Sequence, residues 1–243
     1  MSTDLRHSSD LMGTVNQWVN RFAILENVYF SALRQGTLNR SVFVETQKQF
    51  FFAVGYFSRP MAALMARIPD SGARAALIHN LADEHGLADE GEHSRTFDPR
   101  LAHDRTFLRF LGTLGGASQD VSQAMERAPV RAFNTALMGT CVAEPIEVAL
   151  GCLGIIEYVF ADISACIGQE VVARGWVTSQ QLVHYKLHAE IDKHHAAEFF
   201  QSVTEAWENG AAGRANVVSG IELGLYLFDR LYVDLYRDAG DAA

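Results

Sequence analysis

Within His188-Ala-Glu-Ile-Asp192-Lys-His-His195, positions 188, 192 and 195 are separated by four and then three residues. At about 100° per residue, their side chains fall within roughly 60° of one another on a helix. Two imidazoles and a carboxylate converging from two turns make half of a metal site, of the donor type that suits iron or manganese. His184 lies one turn upstream on the same stripe, whereas His194 sits about a quarter turn off it. The competing reading is a solvated polar face, because Lys186, Glu190 and Lys193 are interspersed.

A metal site on helices needs ligands from facing elements, so the other half is sought among carboxylates in apolar helical sequence. An unpaired charge there would cost several kcal/mol. Glu157 lies within Ala149-Leu-Gly-Cys-Leu-Gly-Ile-Ile-Glu-Tyr-Val-Phe-Ala, with no basic residue close by. Its alternative is a core carboxylate bonded to a Tyr or to an Arg from another helix. Glu144 and Glu147, beside Pro145, read as surface or bend residues. Glu84 sits on the stripe of Leu77 and Leu81 at i+7 and i+3 and can point inward, while Asp83 and His85 are expected to project elsewhere. An acidic cluster at a helix end is otherwise an ordinary surface feature.

Taken in order, Asn80-Leu-x2-Glu84-x-Gly86, His103-x3-Phe107-x2-Phe110-Leu111-x2-Leu114-Gly115, Glu157 and His188-x3-Asp192-x2-His195 resemble the heme-oxygenase-like di-iron oxidases and oxygenases. In helix order the resemblance runs through most of the chain, but only the ligand motifs are specific. It implies an all-α, single-domain heme-oxygenase-like bundle of seven to eight helices over residues 1–243, without heme and with frayed tails at 1–10 and 238–243. It also implies the metal ligands Glu84, His103, Glu157, His188, Asp192 and His195. They would hold two Fe(II) ions, the second the more labile, with O2 as co-substrate. Family members perform N-oxygenation, desaturation and oxidative C–C cleavage. The expected activity is therefore oxidation of a small organic substrate, amino-acid-derived, in specialised biosynthesis, with an external electron donor and a homodimer both compatible.

One spacing departs from the family. Glu84 and His103 are 19 residues apart, further than the family sets its first Glu and His. The extra residues fall in the polar segment 86–102, where added loop length costs little, or where a lid would lie over the site. His93 opens a pentapeptide nearly identical to that at His103, but would need an insertion inside the following helix. His103 is the better candidate. Other branches of the scaffold fit less well. A thiaminase II-like enzyme wants a nucleophilic Cys, and Cys141, Cys152 and Cys166 lie in apolar helical sequence. A metal-free binding protein would leave Glu84 and Glu157 as structural carboxylates. A proximal heme ligand would have to be His7, which is poorly placed.

The elements that must position these residues read as helices almost throughout: 11–34, 40–67, 71–85, 103–114, a short one near 118–127, 130–168 with a bend near Pro145 or Gly151–Gly154, 178–208 and 212–237. No strand alternation is visible. The runs Phe50-Phe51-Phe52 with Tyr56-Phe57, and Tyr226, Phe228, Tyr232 and Tyr236, read as core first and pocket lining second. The formal net charge of −9, with no segment concentrating Lys and Arg, argues against nucleic acid or an anionic membrane as partner. Three cysteines without a C-x-x-C pair argue against a disulfide framework. Neither a signal peptide nor an uninterrupted apolar run of about 18 residues is visible, so a cytoplasmic location is expected.

Overall fold

In the computed structural model, residues 4–89, 95–116, 121 and 123–241 are described. They contain ten α-helices: α1 Asp4–Phe22, α2 Val28–Gln35, α3 Arg40–Arg67, α4 Ala75–Glu84, α5 His103–Thr113, α6 Ala128–Ala143, α7 Ile146–Ala173, α8 Val183–Ser202, α9 Thr204–Glu208 and α10 Ala211–Asp241. The all-α class is as expected; the count is higher, because three expected helices are each divided in two. Residues 11–34 break where Ala23 takes a left-handed φ of 48° and Asn27 caps α2, its side chain accepting from the Tyr29 and Phe30 amides. Residues 130–168 break at Glu144-Pro145. Glu144 is extended, as the steric restriction on a residue before proline requires, and Pro145 is the N-cap of α7. Val203 divides α8 from α9. The described parts of the tails expected to fray are helical, in α1 and α10. Of the short helix expected near 118–127, residues 118–120 and 122 lie outside the described residues, Val121 and Gln123 are helical, and 124–127 are not.

Segment 86–102 is not wholly irregular. Leu87–Asp89 (β1) and Arg95–Phe97 (β2) form a two-stranded antiparallel hairpin with Leu87 opposite Phe97. Strands of three residues are too short to show alternation in a sequence. The hairpin is anchored at Gly86, whose φ is +85°. The Asp98 amide donates to the Gly86 carbonyl at 2.9 Å, and a Cβ at position 86 would lie 2.3 Å from Asp98 O. Only glycine permits that approach. The residues between Glu84 and His103 thus leave and return at one point.

The centre of the bundle is α7, which packs on α8 along one side and on α10 along another. Close approach to α10 depends on glycines: a Cβ on Gly220 would lie 2.2 Å from Val148 O, and one on Gly151 would lie 2.8 Å from Val217 O. This helix is also long and apolar enough to cross a bilayer by composition. Yet 78% of its most apolar window is buried inside the fold, and Glu157 sits in its middle. It is the core helix of the bundle.

Candidate metal centre

Four helices deliver the six expected residues to one place in the core. Glu84 is the last residue of α4, His103 the first of α5, Glu157 lies midway along α7, and His188, Asp192 and His195 share one face of α8. All six are buried, Asp192 completely. The solvated-face reading of α8 is thereby excluded for this stripe, while His194 and Lys193, off the stripe, are exposed. Glu144 is exposed, as expected. His93 lies outside the described residues.

The hairpin resolves the unusual spacing. Because the chain returns to Gly86, the end of α4 meets the start of α5, and His103 Nδ1 stands 2.9 Å from Glu84 Oε1. That contact lacks hydrogen-bond alignment, since His103 Nδ1 has no hydrogen-bond partner. Two donor atoms at contact without a shared hydrogen suit a common cation. Across the site, Glu157, Asp192 and His195 each offer a ligand atom within 4.8 Å of the other two. His195 Nδ1 is 4.0 Å from both Glu157 Oε2 and Asp192 Oδ1. The His188 Nδ1–H donates to Asp192 Oδ1 at 2.8 Å, and the His103 and His188 rings lie 4.4 Å apart edge to face.

Asp83 corrects the reading that it projects elsewhere. Its Oδ2 accepts from His195 Nε2 at 2.9 Å, leaving His195 Nδ1 turned to Glu157 and Asp192. A carboxylate on the remote nitrogen of an imidazole is the usual outer support of a metal-binding histidine. Its only sequence signal was its position, one residue before Glu84 at a helix end.

Electrostatics follow from this crowding. Burial, reinforced by the neighbouring Asp192, pushes the Glu157 carboxyl well above its ordinary range. Burial does the same to Asp192, against the opposing pull of His195 and His103. Burial would also lift Glu84, but His103 beside it, with His188 and His195, holds it low. Burial opposes charge on His195, yet the Asp83 hydrogen bond and the Glu157 and Asp192 carboxylates raise it to about 9. His188 and His184 are driven well below the ordinary range by burial and by the other histidines. Such a cluster is costly unless something neutralises it.

The fit to metal is tested by the atoms left over. Among the buried side-chain atoms without a hydrogen-bond partner are His103 Nδ1, His188 Nε2, His195 Nδ1 and Asp192 Oδ2, all on expected ligands. Three imidazole nitrogens and three carboxylates form the mixed donor set that iron takes. The residues fit the group.

A narrow cavity of about 40 Å³ opens on this centre. Glu84, His103, Glu157, His184 and His188 form one end. The walls are apolar: Phe50, Ala53, Val54 and Phe57 from α3, Phe133 from α6, Ile156 and Phe160 from α7, and Phe228 from α10. Phe50, Phe57 and Phe228, read first as core, therefore line the pocket as well. Cys141 and Cys152 are buried away from it, and burial pushes the Cys141 thiol up to about 12.

With the fold and centre defined, the class follows. The chain belongs to the family described as "iron-containing redox enzyme", which matches residues 44–229. Its fold is heme-oxygenase-like. A CADD-like protein of unknown function from Nostoc punctiforme superposes with a TM-score of 0.74 at 15% identity, covering 96% of this chain and 98% of that one. A domain of unknown function with a heme oxygenase-like fold, from Shewanella denitrificans, gives 0.71 at 16% identity, covering 95% and 92%. A TenA homolog from Pseudomonas syringae pv. tomato gives 0.69 at 15% identity, covering 92% of each chain. No curated protein matches the chain in sequence.

Proposed function

We propose that this iron-containing redox enzyme is a non-heme di-iron oxidase or oxygenase that uses O2 to oxidise a small organic substrate. The supporting observation is the set of unpartnered buried atoms on His103, His188, Asp192 and His195, gathered with the buried Glu84 and Glu157 carboxylates next to an apolar cavity. A pair of Fe(II) ions bound there would supply the redox chemistry with O2. Glu84, His103, Glu157, His188, Asp192 and His195 would together hold the two ions. Asp83 fixes which His195 nitrogen faces inward, and the aromatic walls exclude water from the reacting end. The reaction is an N-oxygenation, desaturation or C–C cleavage of an amino-acid-derived molecule.

A thiaminase-like reaction is disfavoured, because no cysteine lines the cavity. The test is anaerobic Fe(II) titration followed by rapid mixing with O2, on the wild type and on Asp192→Ala. Two irons per chain and a transient visible absorption that the variant loses are expected. Absence of stoichiometric iron binding and of oxygen reactivity in the wild type would sink the proposal.

A further inference from the structure

The polar end of the cavity carries one side chain that the six-residue ligand set does not use. His184 is fully buried on α8, one turn before His188, with the two ring centroids 4.2 Å apart. It borders the cavity beside Glu84, His103 and His188. Phe107 meets its ring edge to face at 4.8 Å and so fixes its plane.

The two nitrogens of this ring are not equivalent. Nδ1 lies 3.0 Å from Thr106 Oγ1. A threonine hydroxyl has one proton, and that of Thr106 is donated to the His103 carbonyl at 2.9 Å. Thr106 Oγ1 must then accept at its other contact, which places the His184 proton on Nδ1. Nε2 is left with a bare lone pair, buried and without a hydrogen-bond partner among the described residues. A buried acceptor without a donor is a costly feature to keep.

We propose that His184 Nε2 reads the polar group of the substrate. It would accept a hydrogen bond from an N–H or O–H and so select an apolar amine or alcohol over the carboxylate of the same skeleton. The apolar walls take the rest of such a molecule. A carboxylate would set its own lone pairs against that of Nε2 and leave both unsatisfied, and sites built around a buried hydrogen bond discriminate strongly against analogues that cannot make it. This assignment rests on the metal-dependent oxidase reading, in which the substrate's polar group lies next to the metal ligands.

The test uses Zn(II)-loaded protein, which is redox-inert, and three probes of one skeleton: 4-phenylbutylamine, 4-phenylbutan-1-ol and 4-phenylbutyrate, with affinities read by calorimetry. The amine and the alcohol are expected to bind the wild type more tightly than the carboxylate. His184→Ala should weaken both donors by about tenfold or more, and His184→Gln, which keeps an acceptor, should recover part of the loss. Thr106→Val should weaken them less, by freeing the tautomer while leaving the ring in place. Preference for the carboxylate, equal affinities in wild type and variants, or no binding of any probe would overturn the assignment and leave the metal centre standing. So would loss of Zn(II) from His184→Ala and His184→Gln, which would make His184 a ligand instead. A wild type that takes up no metal removes the ground for both proposals.

Discussion

His195 is held from two sides, by the Asp83 carboxylate on Nε2 and by the Glu157 and Asp192 carboxylates beyond Nδ1. Removing the Asp83 charge leaves every candidate ligand in place but frees the imidazole to flip or change tautomer. Asp83→Asn is therefore expected to lower metal affinity by about 10- to 100-fold with little change in helix content, checked by Co(II) or Fe(II) titration beside circular dichroism. The α8 half of the candidate site was legible because one helix face carries its own spacing, and Glu157 because a lone carboxylate in apolar sequence demands a partner. Asp83 was not legible. Its role depends on which nitrogen of a residue 112 positions away is left over, and helical periodicity holds no information about that. The same limit applies to His184, whose tautomer is decided by Thr106 on another helix.

At the level of elements, two glycines separate positioning of the site from stability of the bundle. Gly86→Ala would force a Cβ to within 2.3 Å of Asp98 O at a φ of +85°, opening the neck of the hairpin that brings α4 and α5 together. Metal affinity should fall while the α7–α10 core survives, so that titration detects a change larger than thermal melting does. Gly220→Ala has the opposite signature. Its Cβ would meet Val148 O at 2.2 Å, and overpacking of this kind costs about 1–3 kcal/mol, equivalent to roughly 2–10 °C in Tm for a domain of this size. Residual iron stoichiometry should stay near that of the wild type. Helix class and order, and an interruption near Pro145, were readable from the sequence, whereas the break at Ala23 and the hairpin were not. Those features are set by individual backbone angles and by pairing between short segments, neither of which leaves a periodic trace.

For the whole molecule, the metal-free state stores an electrostatic penalty that loading should relieve. Glu157 and Asp192 have raised folded pKa values, so the folded chain keeps protons that the unfolded chain releases as pH rises above about 4. His195 acts in the same direction over a higher interval. Its raised value, about 9, contributes stability below the unfolded value of about 6.5 that is lost as pH climbs toward 9. The His195 effect makes the metal-free protein less stable from pH 6.5 to 8.5. Metal requires the ionised carboxylates and the neutral imidazoles, so its binding strengthens over the same interval. The expected outcome is a Tm increment on Mn(II) addition that grows with pH, corresponding to a stabilisation of about 2.7 kcal/mol at a hundredfold excess over Kd. Thermal melts with Mn(II) or with EDTA at pH 6.5, 7.5 and 8.5 check this, and an increment that shrinks with pH would contradict the assignment of charge in the core.

The pinched neck at Gly86 and Asp98 has a consequence for descent. What lies between Asp89 and Arg95 can lengthen, shorten or drift without moving Glu84 or His103, because both are registered to the neck and not to each other along the chain. The count of residues between those two is therefore a nearly neutral character. Relatives with this centre are better recognised by a glycine closing α4 and a histidine opening α5 than by any fixed interval, and the hairpin is a natural splice point at which lineages could acquire new sequence.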